Sequence, residues 1–307
     1  MPAMTEAPPR LFVRAALARQ RQRRAAGFPA HDFLVREVAE RLADRLDDVR
    51  RRFPVALDLG CRDGVLGGVL AGRGGIELLV QADLAPAMAG RAAARGPAGV
   101  ADEELLPFGP GRFDLVLSCL NLHWVNDLPG ALAQIRYALK PDGLFLAALF
   151  GGGTLGRLRQ ALVGGEEAAR GGASPRVPPF VELRDAAHLL QRAGFALPVA
   201  DGDRIPVDWP DPLSLMRDLA RMGEANVLAA RPRQLTGSGT LLAAAERYPR
   251  RSDGRVVADF EIVYLTAWAP HASQQQPLRP GSAAARLATA LESREEPAGE
   301  RAPIRPR

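Results

Sequence analysis

The segment Asp58-Leu59-Gly60-Cys61-Arg62-Asp63-Gly64 places an acid at the end of an apolar run and follows it with a glycine-bearing turn. An acid at a strand tip, a turn and then a helix make a nucleotide-binding βα unit. Gly60 permits the tight turn and a close approach of backbone to ligand, and Gly64 lets the helix start near it. A loop built for pyrophosphate favours neutral glycines and free N–H groups, because it faces anions. A carboxylate at Asp58 suits a ligand that carries positive charge.

Further acids follow at matching places. Asp83 stands 19 residues after Gly64, at the end of a second apolar run in Gln81-Ala82-Asp83-Leu84. A carboxylate there can accept both hydroxyls of a ribose. Asp102 ends a third run and precedes Glu103; it can accept from an adenine amino group. A fourth run ends in Ser118-Cys119-Leu120-Asn121-Leu122-His123-Trp124, a segment that would pass beside a sulfonium. The ligand that fits this order is S-adenosyl-L-methionine, with its ammonium and sulfonium charges. The expected cofactor contacts are Asp58, Gly60, Cys61, Gly64, Asp83, Leu84, Asp102, Glu103, Ser118 and Leu122. A dinucleotide would call for G-x-G-x-x-G, which Gly60, Gly64 and Gly67 do not satisfy.

His123 and Asn121 are the candidates for catalysis. A histidine there serves as a base or touches substrate; packing against the following helix explains it equally well. Cys61 and Cys119 end adjacent strands and read as small residues near the cofactor before they read as a thiol pair. Met222-Gly223-Glu224-Ala225-Asn226 is a polar turn that can line a substrate mouth, although a helix cap at Gly223 accounts for its glycine. The histidines His31, His123, His188 and His271 include no H-x-D or H-x-E pair, so no metal site is expected.

Short apolar runs alternate with helical stretches to position these residues. Strands are predicted at Val55 to Leu59, Ile76 to Ala82, Gly99 to Ala101, Phe113 to Leu117 and Leu144 to Phe150, with helices between, so a parallel sheet follows. Pro141-Asp142-Gly143 reads as a turn. Before the sheet, Leu11 to Ala26 has helical character. Phe33, Leu34, Val38, Leu42, Leu46 and Val49 then recur at three- and four-residue steps. After it, helices are predicted at Thr154 to Val163, Val181 to Ala193 and Pro212 to Arg221. Strands are predicted at Phe195 to Ala200 and Val256 to Trp268, and a loop over 164–179. The expected plan is a disordered 1–10, a helical cap over 11–52, a cofactor-binding core over 53–151, a C-terminal part with substrate-side helices and last strands over 152–270, and a disordered tail over 271–307.

Composition excludes several classes. Of the 307 residues 47% are hydrophobic and 24% charged, a globular balance. The net charge is +5, but residues 1–52 hold 12 Arg and 7 acids, so the rest is balanced and no nucleic-acid surface is expected. Lys140 is the sole lysine. The arginines at 14, 19, 21, 23 and 24 grip an acidic partner or form a solvated helix face. No apolar run approaches the ~20 residues of a membrane helix, which leaves room only for transient membrane association. With no secretory signal and two cysteines, a bacterial cytoplasm is expected.

Residues 54–150 resemble the class I S-adenosylmethionine-dependent methyltransferase superfamily. The resemblance rests on Leu57-Asp58-Leu59-Gly60-Cys61, Leu106-Pro107-Phe108, Phe113-Asp114-Leu115-Val116 and Leu139-Lys140-Pro141-Asp142-Gly143. It implies an α/β, Rossmann-like fold whose seven-stranded, mostly parallel sheet has helices on both faces and an antiparallel strand near the C-terminus. Other phrases are more specific: Leu120 through Pro129, Gly171 through Pro175, Leu190 through Phe195, Met222 through Asn226, His271 through Gln274 and Pro280 through Ala283. With these the chain is similar to bacterial members of the mitochondrial complex I assembly factor 5, or arginine-hydroxylase, family. That resemblance implies a role in assembling respiratory complex I and hydroxylation of an arginine on one of its subunits. Two alternatives stay open: an O-methyltransferase acting on malonyl carrier protein in biotin synthesis, and a non-catalytic, cofactor-binding chaperone. Two departures matter. Arg62 replaces the second glycine of the usual D-x-G-x-G-x-G loop. Pointing inward, it would oppose the sulfonium and crowd the methionine moiety; pointing outward, it would leave binding intact. Gly153 replaces an acid in the loop after the fifth strand, which argues against a polar role for that loop.

Overall fold

Leu34, Val38, Leu42 and Leu46 line one face of helix α2 (Phe33–Asp47), which buries them completely or almost so. This apolar stripe packs beneath a seven-stranded sheet. The computed structural model describes residues 10–275, 287–290 and 292–294. The disorder expected for 1–10 and 271–307 lies largely outside them.

The strands are β1 (Val55–Leu59), β2 (Leu78–Asp83), β3 (Ala98–Val100), β4 (Phe113–Cys119), β5 (Leu139–Phe150), β6 (Ala196–Trp209) and β7 (Val256–Trp268). Their order in the sheet is β3-β2-β1-β4-β5-β7-β6. The first five run parallel, and β7 is antiparallel to both β5 and β6. Helices cover both faces. On one side lie α2, α3 (Val65–Val69), α6 (Gly156–Arg170) and α8 (Pro212–Met222); on the other lie α5 (Leu128–Ala138) and α7 (Leu183–Arg192). Helix α4 (Pro86–Ala92) follows β2, and α1 (Arg14–Arg24) packs against it. Strand order reverses between β1 and β4, and ligands of such sheets bind at the carboxyl ends of the strands there.

Four sequence expectations are corrected. Pro141-Asp142-Gly143 lies inside β5 rather than before it. Pairing jumps from Phe113↔Leu139 to Leu115↔Leu144, so these residues form a bulge, with Asp142 at φ +61°. Strand β6 reaches Trp209 rather than Ala200; it is the sheet edge, where Pro206 and exposed acids are tolerated and hide the alternation. Helix α6 continues through Gly164 and Gly165 into the expected loop. A Cβ on Gly165 would come within 2.5 Å of the Ala244 nitrogen, so this glycine serves close packing against α9 (Ser238–Arg247), a helix the sequence reading did not foresee. The chain over 171–180 is then pinned by Glu166, whose carboxylate accepts from Ser174 N, Ser174 Oγ and both Nε and Nη2 of Arg176. Arg176 holds that carboxyl down at about 2.

Beyond His271 the chain falls into a separate unit, in which residues Leu287–Ala290 form one helical turn (α10).

The α2 stripe carries a measurable share of stability. Leu42→Ala, at a fully buried position, is expected to lower the unfolding free energy by about 2–5 kcal/mol in urea denaturation. Leu242→Ala, at an exposed position on α9, is expected to change it by no more than ~0.5 kcal/mol.

Candidate functional site

Strand β1 delivers Asp58 to a completely buried position just before the turn. Gly60 takes φ +77°, and a Cβ there would lie 2.0 Å from the Asn121 side chain, so no other residue fits. Gly64, at φ +85°, begins the short helix α3. Asp83, also fully buried, turns its carboxylate toward this loop. Its Oδ2 accepts from Arg62 N at 3.0 Å and its Oδ1 from Ala85 N at 2.8 Å. Asn121 donates through Nδ2 to Glu103 at 2.6 Å. The tips of β1, β2 and β4 and the segment after β3 thus share one site, as the sequence order requires.

Helix α1 roofs it. Arg14 donates to Asp102 at 2.7 Å and also to Glu103. Arg21, fully buried, donates to Asp83 at 3.3 Å. The N-terminal strap is tied down by Asn126, which accepts from Phe12 N at 2.7 Å and donates to Glu104 at 2.8 Å. Phe12 packs edge-on against Trp124, with ring centroids 5.2 Å apart. Asn126 and Trp124 belong to the family-specific phrase after β4, and this contact is their structural role.

Arg62 points inward and is buried. Its cation is matched: Nη2 donates to the Glu224 carboxylate at 2.5 Å and to Leu120 O at 2.9 Å, and Nη1 donates to Met222 O at 3.2 Å. Gly223, at φ +85°, caps α8, and the next residue, Glu224, is buried against Arg62. Glu224 also accepts from Trp124 Nε1 at 3.0 Å and faces His123 Nε2 at 3.4 Å. Burial alone would raise its pKa, but the Arg62 guanidinium and the His123 contact bring it down to about 2. Burial pushes His123 down, against the opposing pull of Glu224, which its Nε2 faces. His123 lies tilted against Phe150, with ring centroids 4.5 Å apart.

Other expected contacts have different settings. Ser118 Oγ is spent on Leu59 O at 2.8 Å, tying β4 to β1. Leu122 is buried in the apolar core, and Leu84 packs beside Phe12 and Trp124. Asp102 is half-buried and engaged by Arg14, whereas Glu103 is the fully buried acid. Cys61 and Cys119 are free, buried thiols, and burial pushes both far up, which makes them poor nucleophiles. Gly153 N donates to Glu261 Oε2 at 2.6 Å, so β7 supplies an acid in space where the loop lacks one in sequence. Among the described residues no group of three His, Cys, Asp or Glu side chains is placed to hold a metal ion.

Buried polar atoms without partners gather here. They include both oxygens of Asp58, Nε and Nη2 of Arg21, Nε of Arg62 and Oδ1 of Asn121. Buried polar groups in native proteins are nearly all paired. Such a concentration, with acceptors and donors of both charges, fits a zwitterionic ligand that also carries hydroxyls. Arg14, Arg21 and Glu224 were not among the expected contacts. The arginines of α1 looked like a solvated face, since nothing in the spacing marks which of them turn inward.

The fold and the glycine turn define a class I methyltransferase-type protein. Residues 57–147 match the methyltransferase domain family. A putative methyltransferase from Bacillus halodurans shares the fold, with a TM-score of 0.54 at 15% identity over 76% of this chain and 99% of that one. The chain is 46% identical to the human arginine-hydroxylase NDUFAF5, mitochondrial, over 82% of its length and 74% of that protein. It is 37% identical to the malonyl-[acyl-carrier protein] O-methyltransferase of Laribacter hongkongensis over 84% of its length and 90% of that enzyme. The chain belongs to the methyltransferase-superfamily family that contains NDUFAF5. No helix of the described residues is long and apolar enough to cross a membrane.

Asp58 gives the site a pH signature. Burial, reinforced by Asp83, raises its carboxyl to about 8. The group is therefore neutral at pH 7, and its contribution to stability, full below an ordinary carboxylate range of about 4, is lost as pH rises through 8. A cationic ligand favours the ionised form. Affinity for S-adenosylmethionine is expected to rise with pH up to about 8 and then level off. Asp58→Asn is expected to flatten the rise. Calorimetry across pH, in buffers of different ionisation enthalpy, reads both the slope and the accompanying proton release.

Proposed function

We propose that this chain binds S-adenosylmethionine at the tips of β1, β2 and β4 and serves as an assembly factor that modifies an arginine of a respiratory complex I subunit by hydroxylation, with the oxygen atom and the oxidising equivalents supplied by a separate co-reactant of the dioxygen or peroxide class. The observation that carries the binding reading is the cluster of unpartnered buried atoms around the Gly60 turn. Asp83 would take the ribose hydroxyls and Asp58 the ammonium. Arg21, with two free nitrogens, would take the carboxylate. Glu103 and Asn121 would border the adenosyl part. The cofactor, when bound, supplies a sulfonium with an electrophilic methyl. The chain's residues bind and orient it, and α1 keeps water out. The inward Arg62 is compatible with this, because Glu224 cancels its charge.

The relatives support the second half of the reading. The human protein is named as an arginine hydroxylase, and the family-specific phrases shape the roof over the site and the turn that carries Glu224. The Laribacter enzyme supports a competing reading, methyl transfer to a malonyl carrier protein.

Calorimetry with S-adenosylmethionine tests the binding claim. Asp83→Ala removes hydrogen bonds to a charged acceptor, each worth about 1.5–3 kcal/mol, so affinity is expected to fall at least tenfold. An unchanged affinity would remove the ribose assignment. Intact-mass measurement of complex I subunits from a deletion strain tests the reaction: one subunit is expected to lose the mass of a single oxygen atom on an arginine. Unchanged masses together with biotin auxotrophy would transfer the assignment to the carrier-protein methyltransferase.

A further inference from the structure

Beside the cofactor cradle, on the far side of Glu224, lies a cavity of about 170 Å³. Aromatic and aliphatic side chains wall it, among them Trp124, Phe150, Phe180, Leu158 and Met216. Two charged side chains reach it, Glu224 and Arg176. They differ in what they have left to offer. Arg176 is paired at two points with Glu166, through Nε and Nη2, and bonds Thr236 through Nη1 at 2.7 Å, so its charge is answered and three of its five N–H groups are used. Glu224 keeps acceptor capacity. Its Oε1 takes the Arg62 bond, and its Oε2 takes one from the neutral indole of Trp124 with His123 at longer range. An ionised carboxylate offers about four lone-pair sites, so room remains for a further N–H donor. His123 and Trp124 hold the carboxylate from behind.

The cavity therefore asks for an occupant with an apolar stem and donors at its inner end. An occupant ending in a carboxylate would meet Glu224, and the arginine that lines the cavity, Arg176, is already paired with Glu166. Aromatic walls add attraction for a flat cation, and a guanidinium is both flat and rich in donors.

We infer that this cavity is the slot for the side chain of the protein residue acted upon, that it takes an arginine, and that Glu224 is its anchor. The inference rests on the protein-arginine reading proposed above and adds to it the place and the residue that select the side chain. Trp124 and His123 are positioning residues in this scheme, because they hold Glu224.

The test is a titration of Nα-acetyl-arginine methylamide into the full chain, alone and saturated with S-adenosylmethionine. The matching citrulline and glutamate derivatives run in parallel, and calorimetry and indole fluorescence follow binding. The arginine derivative is expected to bind at least tenfold more tightly than its neutral isostere citrulline, with the glutamate derivative weakest. Glu224→Gln is expected to erase most of the arginine–citrulline gap. Met216→Trp, which fills the cavity from α8, is expected to abolish binding of all three. Thermal unfolding accompanies each variant, so that a loss of folding in Glu224→Gln leaves Met216→Trp and the wild-type selectivity to decide. Equal binding of arginine and citrulline by the wild type overturns the inference. So does a preference for glutamate, or no binding of any derivative by the cofactor-saturated protein. Failure of the cofactor reading looks different: S-adenosylmethionine would give no heat while the arginine derivative still binds selectively.

Discussion

Arg62 and Glu224 stand 162 residues apart in the chain and meet where almost no water reaches. Arg62 holds a left-handed backbone conformation, φ +52°, at a position where the turn is ordinarily glycine. That conformation costs a non-glycine residue about 1–2 kcal/mol. Taking a guanidinium out of water costs more. The cost is offset by the Glu224 carboxylate and by the carbonyls of Leu120 and Met222, so that donors on both Nη atoms are used. Losing one partner of a buried pair typically costs about 3–5 kcal/mol. The pair therefore locks the C-terminal cap of α8 onto the Gly60 turn, and with it the Trp124 and His123 segment. Glu224, one half of this pair, also lines the neighbouring cavity.

Helix α1 and the strap before it are the second constraint. Their attachment uses few residues: Asn126 on the backbone of Phe12, Phe12 on Trp124, and two arginines on acids. Each anchor on the core side comes from the end of a parallel strand or from the segment that follows one. The sheet thus sets where the helix can lie, and the helix in turn completes the site over Asp83 and Glu103.

Much of this was legible in the residues. The acids at successive strand tips, Gly60 and the alternation of strands and helices lead directly to the sheet and to the shared cleft. The seven strands and the antiparallel β7 also agree with the superfamily resemblance. What escaped was tertiary. Arg14 and Arg21 lie among six arginines within residues 10–24, and only burial shows that these two turn inward. Glu224 read as part of a polar turn, because its partner is half a chain away. Gly164-Gly165 read as a break, because local propensity cannot show that α9 approaches so closely. Strand β6 was cut short because an edge strand need not bury either face fully.

The arginines on α1 are internal counterions for acids at the strand tips. Asp83 is paired with Arg21, and Asp102 and Glu103 with Arg14. An incoming adenosyl ligand would then trade places with these internal counterions rather than fill bare carboxylates. Its affinity becomes the difference between two sets of contacts of similar kind. Small changes in how firmly the roof is held can therefore tune that difference over a wide range, without touching any group that meets the ligand.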